Sequence, residues 1–546
     1  MSLQGIGVSP GVVVGDVHRI VHIDVTQPVP GTAASVLAAL DAVATDLEHR
    51  AENIDLDIAK DVLSAQAMIA RDPSLEEALS QILQADTQYN DVRPAIEEAF
   101  SGFRNALLSL GGYFAERVED LDEIAHRTVL KLSGLEAEDV ALTKPSIVIA
   151  QDLTPADTAA LDLNYALALV VEKGGPTSHT AIVARGLGIP AIVGCAGALE
   201  LASDLTVLVD GREGVVIPSP SAQEVTQRQD HEASLRARAE SVTGPGRLAD
   251  GTAVALMGNA GNENDALSAA AAQAEGIGLF RTELLFLDRQ TEPSVDDQVQ
   301  MYRAVFDALG ERKVIVRTLD AGSDKPVPFL NAVTEENPAL GVRGWRLTRI
   351  ANDVLERQLE AIGIAASQTS ADVWVMAPMI DTPQEAAEFA SRARAHGISH
   401  VGVMIETPAA ALLADKVLAE VDFASLGTND LTQYVMAADR LDSRLSDLTS
   451  SWHPAVLRAI SQAASAANEL GKPIGVCGES AANPQLAAVL LGLGVTSLSM
   501  APSAIAEVRG YLAGLDLSAC HRAAHAAINA SSGEEAREQV TQILGN

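Results

Sequence analysis

Three kinds of hydrophobic pattern follow one another along the chain. The opening GIGVSPGVVVGDVHRI and the later segments SIVIAQDLTP, ALALVVEKGG, AIVG and LTVLVDGREGVVI are short apolar runs bounded by turn residues, which indicates strands. Between them, over residues 33–142, apolar side chains recur at i, i+3, i+4 and i+7, the pattern of amphipathic helices. We therefore expect an α/β domain of residues 1–32 and 143–220 with an inserted helical subdomain of residues 33–142.

The segment SAQEVTQRQDHEASLRARAESV differs from both neighbours because it is polar, charged and helix-prone throughout. The turn-rich TGPGRLADG follows it and marks the start of a new domain. Residues 221–250 are therefore predicted to form a linker helix and hinge.

From residue 252 onward, short apolar runs alternate with helical segments. Eight such runs occur: AVALMG, GIGLF, KVIVRTL, VWVMAPM, HVGVMIE, FASLG, PIGVCG and SLSM. Eight strand–helix units in roughly 290 residues fit a (β/α)8 TIM-type barrel. The predicted fold class is thus multidomain α/β, with the barrel over residues 251–546.

Composition narrows the classes of function. The 546 residues carry a formal net charge of −35, which disfavours binding to nucleic acid or to anionic lipid. The three cysteines fit a reducing compartment rather than a disulfide framework. We find neither a signal peptide nor an apolar run long enough to cross a membrane, so we expect a soluble cytoplasmic protein.

Charge is uneven along the chain. Residues 41–140 hold 22 Asp and Glu against 8 Lys and Arg. A solvated helix surface and a docking face for a basic protein are both compatible with this excess of negative charge.

Chemically active side chains follow the predicted barrel strands, where a barrel of this type forms its catalytic mouth. They are Arg281, Arg317, Lys325, Arg343, Arg346, Glu406, Asn429, Asp430, Arg440 and Cys477. Converging arginines grip phosphate or carboxylate groups, and two carboxylates are the usual protein share of a Mg²⁺ site. The mouth is therefore expected to take a small phosphorylated anion together with Mg²⁺, held by Glu406 and Asp430.

Two residues have more than one interpretation. Cys477 is either a small buried hydrophobic residue or, beside Gly478 and Glu479 at a strand end, a proton donor. His179 lies in GGPTSHTAIVARG, where Thr177 or Ser178 can cap a following helix whose N-terminus favours anions. It is either a structural histidine or a nucleophile that carries a phosphoryl group. Cys195 and Cys520 are expected to be structural.

The motifs resemble those of one family. GGPTSHTAIVARGLGIPAIVG is similar to the phosphohistidine signature of phosphoenolpyruvate-utilising enzymes. LGTNDLTQYVMAADR, MIETPAA, FRTELLF, VCGESA, SLSMAPSAIAEVR and the opening GIGVSPGVVVG together resemble enzyme I of the bacterial sugar phosphotransferase system, in that family's order and over essentially the whole chain.

The resemblance implies a role for each matching residue. His179 would accept the phosphoryl group of phosphoenolpyruvate on Nε2, with Thr158 as its hydrogen-bonding partner. Cys477 would protonate the enolate to give pyruvate, and Glu406 and Asp430 would bind Mg²⁺. The substrate-binding set would be Arg281, Arg317, Arg343, Asn429, Asp430 and Arg440, with Lys325 as a weaker member.

The resemblance also implies partners and movement. The helical subdomain would dock the phosphocarrier protein HPr, which receives the phosphoryl group on its own histidine, in the first step of sugar transport by this system. The α/β domain would be a swivelling phosphohistidine domain that moves on the hinge of residues 221–250, and the barrel would form the homodimer.

Some positions depart from the family pattern, among them Pro176, Ala321, Ser323 and Val342, but none of them removes a charged or reacting group. Two rival functions remain. A pyruvate,phosphate dikinase or phosphoenolpyruvate synthase needs an ATP-grasp domain, for which we expect no room in this length. A non-enzymatic regulator would be favoured by a lost histidine, metal carboxylate or cysteine, and all three are present.

Overall fold

The computed structural model comprises two compact units, Met1–Glu232 and Ala233–Asn546. The structure describes residues 2–20, 25–52, 57–84, 87–110, 118–135, 142, 144–153, 161, 165–175, 178–286, 289, 291–322, 327–330, 335–440, 445 and 448–545. Among the helices of this described part, none is long and apolar enough to cross a membrane.

The first unit contains an eight-stranded mixed sheet. Its strands are β1 (Leu3–Gln4), β2 (Ile6–Ser9), β3 (Val12–Ile20), β4 (Ser146–Ala150), β5 (Ala166–Val171), β6 (Ala191–Val193), β7 (Thr206–Asp210) and β8 (Val215–Pro218). The order across the sheet is β1-β8-β7-β3-β4-β5-β6-β2, and β3 to β6 run parallel. The predicted strands on either side of residues 33–142 therefore pair with one another, as the interrupted α/β pattern indicated.

Strand β4 shows how the sheet is stabilised. Ile147 and Ile149 belong to one apolar cluster, whereas Val148 and Ala150 belong to another. Since successive side chains of a strand point to opposite faces, both faces of the sheet are covered. Cys195 lies buried in the first of these clusters.

Helices occupy the region between β3 and β4. They are α1 (Ala33–Glu52), α2 (Asp57–Ala70), α3 (Pro73–Ile82), α4 (Arg93–Leu110) and α5 (Val118–Leu132). Their apolar faces share one core, in which Leu40, Leu47, Leu79 and Phe100 are almost completely buried. This separate core explains how a helical subdomain can be accommodated between two strands of the same sheet.

Two further helices complete this part of the chain. Helix α6 (His179–Leu187) follows the Gly-rich turn, and α7 (Ala222–Ser241) covers the predicted linker segment. None of the residues of α7 is buried, in agreement with its polar sequence.

The second unit contains a closed parallel barrel. Its strands are β9 (Ala255–Ala260), β10 (Gly276–Arg281), β11 (Lys313–Arg317), β12 (Asp372–Ala377), β13 (His400–Ile405), β14 (Phe423–Leu426), β15 (Ile474–Val476) and β16 (Ser497–Met500). They pair in chain order, and β16 closes onto β9. Each of the eight predicted apolar runs supplies one strand, which confirms the barrel.

Helices surround this barrel. They are α8 (Glu263–Ala271), α9 (Val295–Leu309), α10 (Thr348–Ser367), α11 (Pro383–Ala395), α12 (Pro408–Leu412), α13 (Ala414–Glu420), α14 (Thr428–Met436), α15 (Pro454–Glu469), α16 (Pro484–Gly492), α17 (Ile505–Leu512), α18 (Leu517–Asn529) and α19 (Gly533–Leu544). Inside the barrel, one apolar layer joins Leu279, Ile315, Met376, Met404, Phe423 and Cys477. This layer separates the C-terminal mouth of the barrel from the N-terminal mouth.

Candidate active site

The C-terminal mouth of the barrel collects most of the residues that the sequence singled out. Arg281 and Arg317 end β10 and β11, Glu406 directly follows β13, and Cys477 directly follows β15. Asn429 and Asp430 lie in the first turn of α14, Arg440 lies beyond that helix, and Arg343 precedes α10. The alternation of strands and helices brings these positions to one end of the barrel.

Arg317 is buried in this mouth and held by two carboxylates. Its guanidinium pairs with Glu283, and its Nη1 lies 3.1 Å from Oδ2 of Asp320. Its Nε has no hydrogen-bond partner among the described residues. Buried arginines of this kind depend on close counter-charges, because desolvation of an unpaired guanidinium is costly.

Arg343 links two carboxylates from different parts of the barrel. Its Nη2 lies 2.9 Å from Oδ2 of Asp320, and its Nη1 lies 2.9 Å from Oδ1 of Asp430. The side chain is only 1% exposed. Gly344, at a φ of +56°, turns the backbone directly after it, and the Gly344 N–H donates to Ala321 O at 3.3 Å. Asp320 thus lies between Arg317 and Arg343 and determines where both guanidinium groups point.

Glu406 is completely buried, and its two carboxylate oxygens differ. Oε1 accepts a 2.6 Å hydrogen bond from the backbone N–H of Met379, whereas Oε2 has no partner among the described residues. Burial raises the pKa of the Glu406 carboxyl to about 7, and the negative charges of Asp430 and Asp320 act in the same direction. A Cβ atom on Gly427 would lie 2.6 Å from this free oxygen, so glycine keeps the approach to it open.

Helix α14 begins at this point and positions two of the predicted residues. Oδ1 of Asp430 forms an ion pair with Nη1 of Arg343, and its Oδ2 lies 3.5 Å from Nη1 of Arg440. Asn429 Oδ1 accepts a 3.2 Å hydrogen bond from the N–H of Glu479, which joins the helix to the loop after β15. The close packing requires Gly478, since a Cβ atom there would lie 1.9 Å from Oγ1 of Thr428.

The carboxylates of Glu406 and Asp430 are compatible with a magnesium ion. In the described part of the chain, no group of three or more His, Cys, Asp or Glu side chains forms a metal cluster. Mg²⁺ commonly takes one or two carboxylates and completes its shell with water and substrate phosphate. The partnerless buried Oε2 of Glu406 is the observation that fits such an ion.

Cys477 lies at the base of the mouth, where its Sγ donates to Leu426 O at 3.6 Å. Burial raises the pKa of the thiol to about 11, although a hydrogen bond with Ser425 and the positive charges of Arg317 and Arg281 oppose the shift. The thiol is therefore protonated at neutral pH. Membership of the apolar layer fits a small buried residue, and the nearby charges of Arg317 and Arg281 fit a proton donor, so the structure is compatible with both interpretations of Cys477.

Not all of the predicted residues join the cluster. Arg281 is exposed at its rim, and Arg346 instead pairs with Asp381, Nη2 to Oδ2 at 2.7 Å. Lys325 and Thr158 lie outside the described residues, as do Pro176 and Ser323.

His179 is the first residue of helix α6, in the first unit. Ser178 is the N-cap, and its Oγ accepts a 3.4 Å hydrogen bond from Ala181 N. Gly188, at a φ of +67°, ends the helix. Of the two predicted caps, the structure shows Ser178, whereas Thr177 and the side chain of His179 are outside the described part. The backbone places His179 where helix N–H groups and the helix dipole favour a negative charge.

Sequence reasoning missed Glu283 and Asp320. Both lie in the quoted stretches FRTELLF and RTLDAGSDKP, close to an arginine, and both are almost completely buried. A search for the counter-charges of arginines at strand ends would have found them. Behind them, Gln358 Nε2 donates to Thr282 Oγ1 at 3.1 Å, and Gln358 Oε1 accepts from Leu319 N at 2.8 Å. This buried network holds the ends of β10 and β11 in place.

Comparison with known families divides the chain in a consistent way. Residues 4–117 match the N-terminal part of PEP-utilising enzymes, residues 142–214 match their mobile domain, and residues 236–517 match their PEP-binding domain. The last match contains the barrel strands and the arginine–carboxylate cluster, and the second contains His179.

Curated relatives match over nearly the full length. A phosphoenolpyruvate-protein phosphotransferase of Streptomyces coelicolor is 44% identical over 100% of this chain and 99% of its own. A protein of the same name from Haloferax volcanii is 37% identical over 92% of this chain and 90% of its own. A multiphosphoryl transfer protein of Xanthomonas campestris is 37% identical over 100% of this chain and 67% of its own.

Proposed function

The chain belongs to the phosphoenolpyruvate-protein phosphotransferase family, whose members are phosphotransferases, and we propose that it transfers the phosphoryl group of phosphoenolpyruvate to its own His179. The phosphoryl group then passes to the histidine of HPr, and pyruvate is released, as the first step of the sugar phosphotransferase system. The observation that carries the proposal is the cluster of Arg317, Arg343, Glu406, Asp430 and Cys477 at one mouth of the barrel.

The arginines supply the charge that this substrate needs. Phosphoenolpyruvate carries a phosphate and a carboxylate, and guanidinium groups bind both with two parallel hydrogen bonds. Arg317 and Arg343 are fixed by Asp320, whereas Arg281 and Arg440 are more exposed and can reorient around the substrate. Asn429 completes the set, and Lys325 is assigned to it from the sequence alone. Phosphoryl transfer depends mainly on such positioning and charge neutralisation.

Glu406 and Asp430 would hold Mg²⁺. The family is in general Mg²⁺-dependent, and the free Oε2 of Glu406 offers a buried anionic ligand. When bound, the ion neutralises charge on the phosphate oxygens. Glu406 must lose its proton before it can bind Mg²⁺. Because its pKa is raised, the affinity for the ion should increase with pH.

Cys477 is proposed to donate a proton to C3 of the enolate that remains after the phosphoryl group has left. An acid must carry its proton before the reaction, and the pKa of about 11 ensures this at neutral pH. Arg317 and Arg281 stabilise the thiolate that results, because both oppose the rise in its pKa.

His179 is proposed to be the nucleophile, with Thr158 as its supporting hydrogen-bond partner. Its position at the N-terminus of α6 favours the dianion of a phosphohistidine. One histidine has to meet both the barrel and HPr, so we propose that residues 1–32 and 143–220 swivel on the hinge of residues 221–250.

The remaining partners also belong to this proposal. HPr would dock on the helical subdomain, where Glu76 and Glu77 are exposed on α3. The protein would be a cytoplasmic homodimer that associates through the barrel. Reversing the two negative charges on α3, with the double substitution Glu76→Lys and Glu77→Lys, should slow phosphate transfer to HPr but spare phosphorylation of His179. The same double reversal at Glu534 and Glu535 on α19 is the control, and equal effects of the two pairs would move the docking face elsewhere.

The central test is incubation of the full-length protein with phosphoenolpyruvate and Mg²⁺, followed by intact mass and a pyruvate assay. We expect one acid-labile phosphate and released pyruvate in the wild type, and no phosphate in His179→Ala. A Cys477→Ala variant should accept phosphate from phosphohistidine-loaded HPr but release little pyruvate. If folded wild type takes no label from phosphoenolpyruvate, the protein is a regulator that keeps the family scaffold.

A further inference from the structure

The N-terminal mouth of the barrel contains a cavity of about 320 Å³, here called the lower cavity. TIM barrels usually fill this region with bulky branched side chains. Here the inward positions include Gly278, Gly475, Ser497 and Ser499, which leave the space open. Small residues alone do not define a site, so the argument depends on the groups that surround the space.

An unpaired cation faces the lower cavity. Lys313, the first residue of β11, is half-buried, and its Nζ lies 3.5 Å from the centroid of the Trp374 ring. No carboxylate lies within 4.0 Å of this ammonium among the described residues. Its pKa is lowered by desolvation. A partly desolvated ammonium without an ion-pair partner is a ready binding group for an anion.

Two carboxylates belong to these surroundings, since Asp372 acts on the charge of Lys313 and Glu275 lines the same cavity, but both are engaged by other groups. Asp372 Oδ1 accepts a 2.9 Å hydrogen bond from Nε1 of Trp374 and lies 4.0 Å from Nε2 of His400. Glu275 Oε1 accepts the backbone N–H groups of Gly246 and Leu256 at 3.0 and 3.1 Å. These bonds hold both carboxylates outside ion-pair distance of Lys313.

The other walls are aromatic and polar. The rings of Trp374 and Phe423 lie 4.8 Å apart and tilted, and His400 stacks on Trp374 at 4.7 Å. Ser425 and Ser497 add hydroxyl groups to the lining. A ligand with a flat apolar body and one negative group would match this combination of aromatic wall, hydroxyls and ammonium.

We propose that the lower cavity is a second small-molecule site, which binds a small aromatic carboxylate with its charge on Lys313 and its ring against Phe423, beside the edge of Trp374. The site lies across the apolar layer from the arginine cluster. Ser425 connects the two sides, because it lines the lower cavity and is followed by Leu426, whose carbonyl accepts the hydrogen bond of Cys477 Sγ at 3.6 Å. An occupant that binds the Ser425 hydroxyl therefore alters the surroundings of the Cys477 thiol, which makes the site regulatory.

The first experiment measures binding of benzoate to the full-length protein by calorimetry, with neutral benzamide as the matched probe. We expect saturable benzoate binding that Lys313→Met weakens about tenfold or more, the loss of one hydrogen bond to a charged group. Methionine keeps a flexible apolar chain over Trp374. The control is Lys416→Met, an exposed lysine on α13 whose loss should change nothing.

Two results would overturn the assignment. Absence of saturable benzoate binding, or equal binding of benzamide, would show that no carboxylate site exists in the lower cavity. Displacement of benzoate by phosphoenolpyruvate, with no effect of Lys313→Met, would place the benzoate in the arginine cluster instead.

A second readout tests the link through Ser425. Alkylation of Cys477 by iodoacetamide, followed by peptide mass mapping, should change in rate when benzoate saturates the wild type but not Lys313→Met. An unchanged rate in the saturated wild type would refute the regulatory role.

Discussion

The two mouths of the barrel are formed by the same strands but differ in how their charged side chains are paired. On β11, Lys313, Ile315 and Arg317 alternate along the inward face, so one strand reaches the lower cavity, the apolar layer and the arginine cluster in turn. At the C-terminal mouth, arginines and carboxylates are buried and paired. At the N-terminal mouth, Lys313 faces an open space that Glu275 also lines, and its ammonium has no ion-pair partner among the described residues. The comparison shows that internal carboxylates hold the arginines in position at one end, whereas the lysine at the other end is held by no carboxylate.

The largest expected effect comes from removing a guanidinium at the C-terminal mouth. Arg343→Met leaves Asp320 and Asp430 buried without their shared cation, and breaking such a pair costs about 3–5 kcal/mol. The free energy of unfolding, from urea titration, should fall by that amount for the barrel unit. Arg349→Met, at an exposed position on α10, is the control and should have little effect. Similar stability of both variants would mean that the two carboxylates are neutral in the folded protein.

The next effect tests Asp320 as a positioning residue. Asp320→Asn weakens the hydrogen bonds that orient Arg317 and Arg343, worth about 1.5–3 kcal/mol for a charged group. We expect kcat/KM for phosphoenolpyruvate to fall roughly 10–100-fold, mainly through KM.

The matched control for Asp320 is Asp381→Asn, which affects the partly exposed pair with Arg346 outside the cluster. That change should alter kcat/KM by much less. If both variants lose activity equally, Asp320 does not act by orienting the arginines.

A pH experiment sharpens the comparison at Glu406. Its pKa rises from 4.5 to about 7 on folding, so between these values the folded protein binds more protons than the unfolded chain. Its contribution to stability is therefore fully present below about pH 4.5 and is lost as the pH rises to about 7. In metal-free protein, Glu406→Gln should remove this decline, as measured by urea unfolding between pH 5 and 8.

The same two proteins test the metal proposal. Mg²⁺ at pH 8 should raise the urea midpoint of the wild type much more than that of Glu406→Gln, because the variant keeps only the Asp430 carboxylate for the ion. Equal stabilisation of both proteins would place the magnesium site elsewhere.

The smallest effect is expected at the N-terminal mouth. Ser497→Val places two methyl groups in an open space, so stability should change by no more than about 1 kcal/mol, while benzoate binding weakens. Ser499→Val is the contrasting variant, because it removes hydrogen bonds of 3.0 and 2.6 Å to Gly258 O and Asn259 Oδ1. Thermal unfolding should show a clearly lower midpoint for Ser499→Val, and the reverse order would mean that Ser497 packs in a closed core.

The hydrophobic pattern was enough to predict the element types and to predict which residues gather at the C-terminal mouth. The apolar runs predicted all eight barrel strands because strands buried on both faces read as continuous hydrophobic segments. Residues such as Arg317, Glu406 and Cys477 could be placed at one mouth, since every parallel strand of a barrel ends at the same face.

The partners of those residues could not be predicted from the sequence, because they depend on the folded barrel. The chain separates Asp320 from Arg343 by more than twenty positions and Arg343 from Asp430 by far more, so their pairing depends on how the barrel closes. The lower cavity depends on it too, because the space arises where small inward residues of β10, β15 and β16 meet. A pattern along one strand reports which side chains face inward, whereas the charge balance and volume inside the barrel are properties of all eight strands together.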